Sequence, residues 1–546
     1  MKRLLIITTV LFFSTLVLPQ DKEKKNPNVE LPDFVITGKD VISLQKAKKL
    51  DPGTISTISE EFIKPVYSSE ELGISDLPNP IKDQLNLADT QNVYNSRLTI
   101  GTGIYTSPAG RFSMTQPFGG GMIGAVIKGE NHRAFIDNSD WYKFKGALNF
   151  AFFVPNDASL RGTQFKFHGD YGINSYRFFA SNNPSTKRNY YKGNYSVDVN
   201  NLVGKYFNFD IKANDKYSYL GNENFSENLL RVESFLRGNF TIFKLAGNIN
   251  YTRQFITNNA VTSGSFDYIF VRPYIQFSIN NFFTVAGGIS YSKNNSTNYT
   301  APYASAALKL NDFISLYGEY NPTAEFLSAG ELLEANKYFS LIQYYNSPRA
   351  SPFQPPLYFS NSFVKKTSAF NAVLKFQYFK YYEIDAGIKY FNADNLSFFV
   401  SSAQSGMFDV NFTGAKNYSL FVNLLFHQGP FGVFYGTAEY NDTKDNSSNQ
   451  IPYSPKFKAT LSYGYNFKFG FYFEPRLYYY SESYADVSNL KKIDSYIDLG
   501  AKFAYKFGRN FSLNVELSNL VDRKNYKWYG YREAPLDLVA GFTYKW

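Results

Sequence analysis

The chain has no cysteine, only three histidines among 546 residues, and beyond its first 18 residues no apolar run long enough to cross a membrane as a helix. Each absence closes off a class of protein. Without cysteine there is no disulfide, no thiolate-bound metal and no lipid attachment at a thiol. A membrane helix needs about 18 consecutive apolar residues, so none is expected after the leader. His132, His168 and His427 lie far apart in sequence, which gives no reason to assign a metal or cofactor. Residues 118–122 read FGGGM but lack the lysine and hydroxyl residue of a phosphate loop, so they are read as a turn. There is no Gly-x-Ser-x-Gly elbow, and no carboxylate pair is singled out for acid/base work. The chain is therefore not expected to be an enzyme, and no nucleic-acid partner is expected.

Aromatics are what the chain has in excess. It carries 45 tyrosines and 54 phenylalanines, yet its mean hydropathy is negative because Asn, Ser, Lys and Gly surround them. That mixture suits a wall with one face in lipid and one in water, ringed by interfacial aromatics. The first 20 residues read as a secretory leader: Lys2 and Arg3, then an apolar run from Leu4 to Leu18. Small residues are missing at 18–20, and an uncleaved anchor helix is the alternative. An exported, aromatic-rich chain without spanning helices enters a membrane only as a closed barrel, since every backbone group in lipid needs a partner within the protein.

A period of two supports that reading. Residues 536–546 put Leu536, Leu538, Ala540, Phe542, Tyr544 and Trp546 on one face, with Asp537, Thr543 and Lys545 among those on the other. The rhythm recurs at 456–469, where lysines and serines oppose Phe457, Leu461, Tyr463 and Tyr465, and again at 493–507, 511–517 and 383–390. Connections alternate between short ones, such as 311–312 and 508–510, and long ones at 321–357, 392–415, 441–452, 482–492 and 521–535. Short turns on one rim and long loops on the other mark an outer-membrane barrel. The alternation predicts about 22 strands between Ser96 and Trp546, with both ends periplasmic. Soluble sandwiches and propellers keep strands near five or six residues, whereas many runs here reach ten. The expected fold is an all-β, antiparallel, up-and-down transmembrane barrel.

Residues 21–95 differ in texture, with 13 acidic and 9 basic residues, six prolines and four aromatics. They read as a poorly structured periplasmic extension. Of the chain's net +10, the leader supplies +2 and this segment −4, which leaves about +12 on residues 96–546. Such a charge suits an anion-preferring lumen or rim lysines that hold lipopolysaccharide phosphates. Phe34, Val35, Ile36, Thr37 and Gly38 form a short apolar strip that either adds to a partner's sheet edge or is an ordered patch of linker. Residues 54–64 allow one short helix.

Four features resemble the TonB-dependent receptors of bacterial outer membranes. Residues 510–546 (NFSLNVELSNLVDRKNYKWYGYREAPLDLVAGFTYKW) are similar to their last strand pair and final outer loop. The strand number matches their barrels, and 320–338 (YNPTAEFLSAGELLEANKY) is similar to a loop that recurs in them. Phe34–Gly38, soon after the leader, looks like the strip near which such receptors engage TonB. The likeness spans about 450 residues as architecture. One departure stands out: these receptors carry a folded plug of well over a hundred residues, and 21–95 is too short and too charged to be one.

The resemblance implies solute transport across the outer membrane of a Gram-negative-type bacterium. The pore would be gated by a plug from a partner, by 21–95, or by 321–357 folded inward. The partners it implies are outer-membrane lipid and lipopolysaccharide, the barrel-assembly machinery acting on Phe542, Tyr544 and Trp546, and a TonB-like or plug-supplying periplasmic protein. The alternative is a plugless binding or structural barrel, an assembly partner or adhesin, that acts through its outer loops.

Overall fold

The computed structural model describes residues 95–546, apart from 155–161, 203, 259–260, 280–281, 296, 342–362, 379–381, 428–431 and 468. The expected leader, the strip at 34–38 and the helix at 54–64 lie outside the described residues. Twenty-two antiparallel strands form one continuous wall. The first, Ser96–Gly103, pairs on one side with Thr106–Phe118 and on the other with the last, Asp537–Lys545. Strands adjacent in the wall are adjacent in sequence, which makes the ring up-and-down. A three-residue strand, Ala324–Phe326, is a spur on Phe363–Tyr378 and brings the sheet to 23. At the seam the Ser96 amide donates to the Trp546 carbonyl at 2.9 Å and the Trp546 amide to the Ser96 carbonyl at 3.0 Å. Closure leaves the wall no free edge and pairs its backbone groups within the sheet, as lipid requires.

Alternation sorts the side chains as the period of two predicts. On Phe283–Asn294, Val285, Ile289 and Tyr291 are exposed while Ala286, Ser290, Ser292 and Asn294 are buried. On Phe408–His427, Tyr418, Leu420 and Val422 point out and Asn417 and Ser419 point in. Ile100, Ile127, Leu148 and Ile249 extend the same exposed apolar band around the ring. Leaving such side chains in water forgoes about 1.5–3 kcal/mol each, and apolar patches above a few hundred Å² mark a membrane or partner surface. Leu420→Arg is accordingly expected to destabilise the barrel by about 2–4 kcal/mol, read from its urea unfolding midpoint in lipid vesicles. An unchanged midpoint would mean that this face does not meet hydrocarbon.

Several expected boundaries move. The runs at 456–469, 493–507, 511–517 and 383–390 are the strands Phe457–Asn466, Tyr496–Phe507, Phe511–Ser518 and Tyr382–Ser401. The expected long loop at 392–415 is mostly strand. Tyr382–Ser401 and Phe408–His427 run on together, with a register shift between Ala393 and Leu396, and leave only 402–407 as the turn. Leu396, Ser397, Phe398 and Phe399 are all buried there, so both faces of the ladder are covered and the alternation that marks a strand disappears. Val433–Asp445 likewise takes up the start of the expected 441–452 loop. The FGGGM stretch is a turn, with Gly120 at φ +85°, where glycine is favoured.

Candidate functional site

The segment after Ile314–Tyr320 leaves the wall and enters the barrel mouth. Ala324–Phe326 lies on the inner face, where the Tyr268 hydroxyl donates to the Ala324 carbonyl at 2.5 Å and Phe326 stacks on Phe266 at 5.0 Å. A short helix, Ala329–Ala335, follows. The Ser328 hydroxyl accepts from the Glu331 amide at 3.1 Å, and the Glu331 carboxylate accepts from the Ser328 amide at 3.0 Å. This Ser-x-x-Glu capping box is legible in the sequence and was the signal for a helix that the strand reading passed over. Glu227, on the inner face of Phe225–Asn239, accepts from the amides of Ala329 at 3.0 Å and Gly330 at 2.5 Å. A Cβ at Gly330 would sit 2.5 Å from that carboxylate and 2.6 Å from the Ser218 hydroxyl, so only glycine lets the helix come this close.

The chain leaving the helix is held by its backbone. Arg188, 1% exposed, donates to the carbonyls of Lys337 at 3.0 Å and Phe339 at 2.8 Å and pairs with Glu223 at 2.6 Å. Its guanidinium lies 4.7 Å over the Phe178 ring, and the Tyr176 hydroxyl also donates to the Lys337 carbonyl. On the far side, the Ser340 amide donates to the Phe408 carbonyl at 2.7 Å and the Phe408 amide to the Tyr338 carbonyl at 3.1 Å. Tyr176 belongs to the fifth wall strand, Gln164–Arg177, and Phe408 to the sixteenth, Phe408–His427. Eleven strands apart in a ring of 22, they stand on opposite walls. The inward segment therefore bridges the mouth.

Other loops complete a roof. Tyr338 stacks on Tyr531 at 3.5 Å, Phe179 meets Tyr531 at 4.9 Å, and Trp528 contacts Tyr453 at 4.8 Å and Phe408 at 5.2 Å. The Tyr531 hydroxyl donates to the Gly406 carbonyl at 2.6 Å, and the Asn182 amide to the Ser405 hydroxyl at 3.0 Å. Gly406 has φ +73°, and a Cβ there would lie 2.6 Å from that of Ser181. Tyr338, Phe408, Tyr453 and Tyr531 form one buried cluster with Leu332, Leu333 and Phe339, and the partly buried Phe179 and Trp528 pack against it.

Charge lines the underside. Glu331 meets Arg231 at 3.0 Å and Lys216 at 3.9 Å, and Glu334 meets Lys192 at 3.3 Å. Burial by itself raises a carboxyl pKa, but Arg231 and Lys216 outweigh it and hold Glu331 below its usual 4.5. That contact supports the docked helix above this value and is lost as pH falls through the lowered one. A cavity of about 200 Å³ opens between helix and wall, lined by Lys145, Asp170, Asn194 and Ser218 as well as Lys192, Lys216, Glu331 and Glu334.

Lys337 works the other way. Burial, with Lys143 and Lys527 nearby, lowers its ammonium from 10.5 to about 8. The docked segment then holds fewer protons than the undocked one between those two values, so closure strengthens as pH rises through that window. Open probability in single-channel records is expected to fall between pH 8 and 10.5, and Lys337→Met to remove that dependence. A slope that survives the substitution would assign it elsewhere.

Of the residues singled out from sequence, Phe542, Tyr544 and Trp546 lie on the outer side of the seam, where Trp546 stacks on Tyr544 at 5.1 Å and on Phe112 at 6.1 Å. They are not part of the roof. His132 stacks on Trp141 at 5.0 Å, and His168 bridges Asn149 and Asp170 at 2.6 and 2.7 Å. The inward segment is the described part of the expected 321–357 gate; its remainder lies outside the described residues. Arg188, Glu227, Lys192, Lys216 and Arg231 were not foreseen, because a charge on an inward strand position looks the same whether it meets water or a folded-back loop.

No protein-family model matches the sequence, and no curated protein matches it. Solved structures do match in fold. The ferric-catecholate import receptor Fiu from K12 E. coli superposes with a TM-score of 0.61 at 11% identity, covering 84% of this chain and 82% of that one. The siderophore receptor PiuA from Acinetobacter baumannii gives 0.61 at 12%, with 84% and 82% covered. The copper transporter OprC gives 0.60 at 11%, with 83% and 80% covered. At such identities the likeness is one of fold.

Proposed function

We propose that this chain is an outer-membrane transport barrel of the TonB-dependent receptor type, which passes a solute through its lumen and shuts its own outer mouth with residues 321–341. The observation that carries the reading is the roof: a wall of 22 strands spanned at one rim by a packed segment tied to opposite walls. A ring this wide, left open, would leak small solutes, and a packed crossing is what a controlled channel needs. The apolar outer band and the fold likeness support placing it in the outer membrane of a Gram-negative-type bacterium, long loops outward.

The same reading divides the chain into a leader at 1–20, a periplasmic extension at 21–95 and the barrel at 96–546. Phe34–Gly38 would add to the sheet edge of a TonB-like partner. Phe542, Tyr544 and Trp546, outward at the seam where the ring closes, suit a handle for the barrel-assembly machinery. Lys444 and Lys456 flank Asp442 at 3.0 and 3.7 Å, and Lys416 pairs in register with Lys444. They lie just beyond the outward rings of Tyr418, Tyr440 and Phe457, a position that would suit contact with the phosphates of lipopolysaccharide.

The test is single-channel recording of the full chain in planar bilayers. Rare, large openings are expected. Silence from the native protein, from one lacking the inward segment and from one lacking both that segment and residues 21–95 would overturn transport and favour a structural or binding barrel, for which the interlocked roof offers a rigid outer surface.

A further inference from the structure

The inner faces of three neighbouring strands, Lys187–Asn201, Phe207–Leu220 and Phe225–Asn239, carry Lys192, Lys216 and Arg231. Register pairs Lys192 with Ser218, Asn194 with Lys216, and Asn214 with Arg231. The three cations therefore step diagonally, each two residues from the cross-strand partner of the last. Each meets a carboxylate of the inward helix rather than of the wall: Lys192 meets Glu334, and both Lys216 and Arg231 meet Glu331. Glu331 and Glu334 are three apart and share a helix face. Two of the wall's own acids nearby are otherwise engaged. Glu227 caps the helix, and Asp170 pairs with Lys145 at 3.1 Å and His168 at 2.7 Å. Glu233 is two positions along the strand from Arg231 and acts on its charge. The cavity of about 200 Å³ lies against Lys192 and Lys216, large enough for a carboxylate or phosphate group with a few waters at about 30 Å³ each.

We propose that Lys192, Lys216 and Arg231 form a binding track for an oxyanion-bearing solute, which the closed protein fills with its own Glu331 and Glu334, so that solute and helix compete for the same cations. This rests on the transport reading above. In it the helix is a tethered stand-in for the solute. An oxyanion entering the cavity takes over the ammonium groups, and the mouth opens because the solute binds the undocked state better than the docked one. A neutral solute has no such differential affinity and shifts nothing.

The experiment records the full chain in planar bilayers at constant ionic strength with citrate, inorganic phosphate or glucose added. Citrate or phosphate is expected to raise open probability by about 5- to 150-fold, the usual range of a coupling between sites, and glucose to leave it unchanged. A response to citrate alone assigns a carboxylate solute, and one to phosphate alone a phosphorylated one. The double variant E331Q/E334Q should open without oxyanion and respond little to it. K192Q/K216Q should lose the oxyanion response and shift the open pore's reversal potential in a salt gradient away from anion preference. Openings that ignore both oxyanions, or that K192Q/K216Q leaves anion-selective and oxyanion-responsive, overturn the track while leaving transport standing. Silence of every variant, and of E331Q/E334Q lacking residues 21–95, with heat-modifiable migration on gels showing folded barrels, overturns the transport reading itself.

Discussion

Replacing residues 328–340 with a glycine–serine linker of equal length is expected to raise single-channel conductance roughly tenfold or more, because a ring of 22 strands encloses a lumen that only a plug or roof keeps shut. The substitution removes the capping box and the side chains of Leu332, Leu333, Tyr338 and Phe339 that pack the roof, so nothing fixes the backbone that Arg188, Tyr176 and Phe408 hold. It touches none of the ladder bonds between wall strands, so the barrel itself is expected to assemble and to keep its unfolding midpoint. Deleting residues 21–95 in the same background separates this gate from the other one considered on sequence grounds. If the linker variant stays silent and opens only when 21–95 is also removed, the roof is not the principal closure. If it conducts with 21–95 intact, the roof is.

The wall was open to sequence reading because lipid imposes the period of two on it. Each outward position must be apolar and each inward one need not be, so 22 strands and the closing run to Trp546 could be counted without coordinates. The roof was not, for the complementary reason. At 396–399 the ladder rises past the band and is covered on both sides, and the alternation that marks a strand goes with it. The helix carried a local signal in Ser328 and Glu331, but its place against Glu227 depends on residues about a hundred positions away. Nothing in Arg188 or Lys216 as letters separates a water-facing lumen charge from one that grips a loop. The same physics that exposes the wall to inspection hides the site.

Arg188→Met tests that grip at one residue. The guanidinium is 1% exposed and serves three acceptors from a fixed planar fork: the carbonyls of Lys337 and Phe339, and the Glu223 carboxylate. Methionine fills most of the space over Phe178 but donates nothing. The Phe339 carbonyl then loses the bond that Arg188 supplied, whereas that of Lys337 keeps the Tyr176 hydroxyl. An unmet buried acceptor costs about 1–3 kcal/mol, whereas the bond to Glu223 joins two wall elements and is lost equally whether the segment is docked or not. Closure should weaken by about 1–3 kcal/mol, or about 5- to 150-fold in the ratio of closed to open protein. Open probability and the rate of proteolysis within 328–340 should rise together, because both report the same undocking. Arg188→Lys keeps the charge but not the fork, so it should fall between the two. Faster proteolysis with no change in conductance would mean that the segment undocks without clearing the mouth. The loop would then be a cover on a lumen closed deeper down.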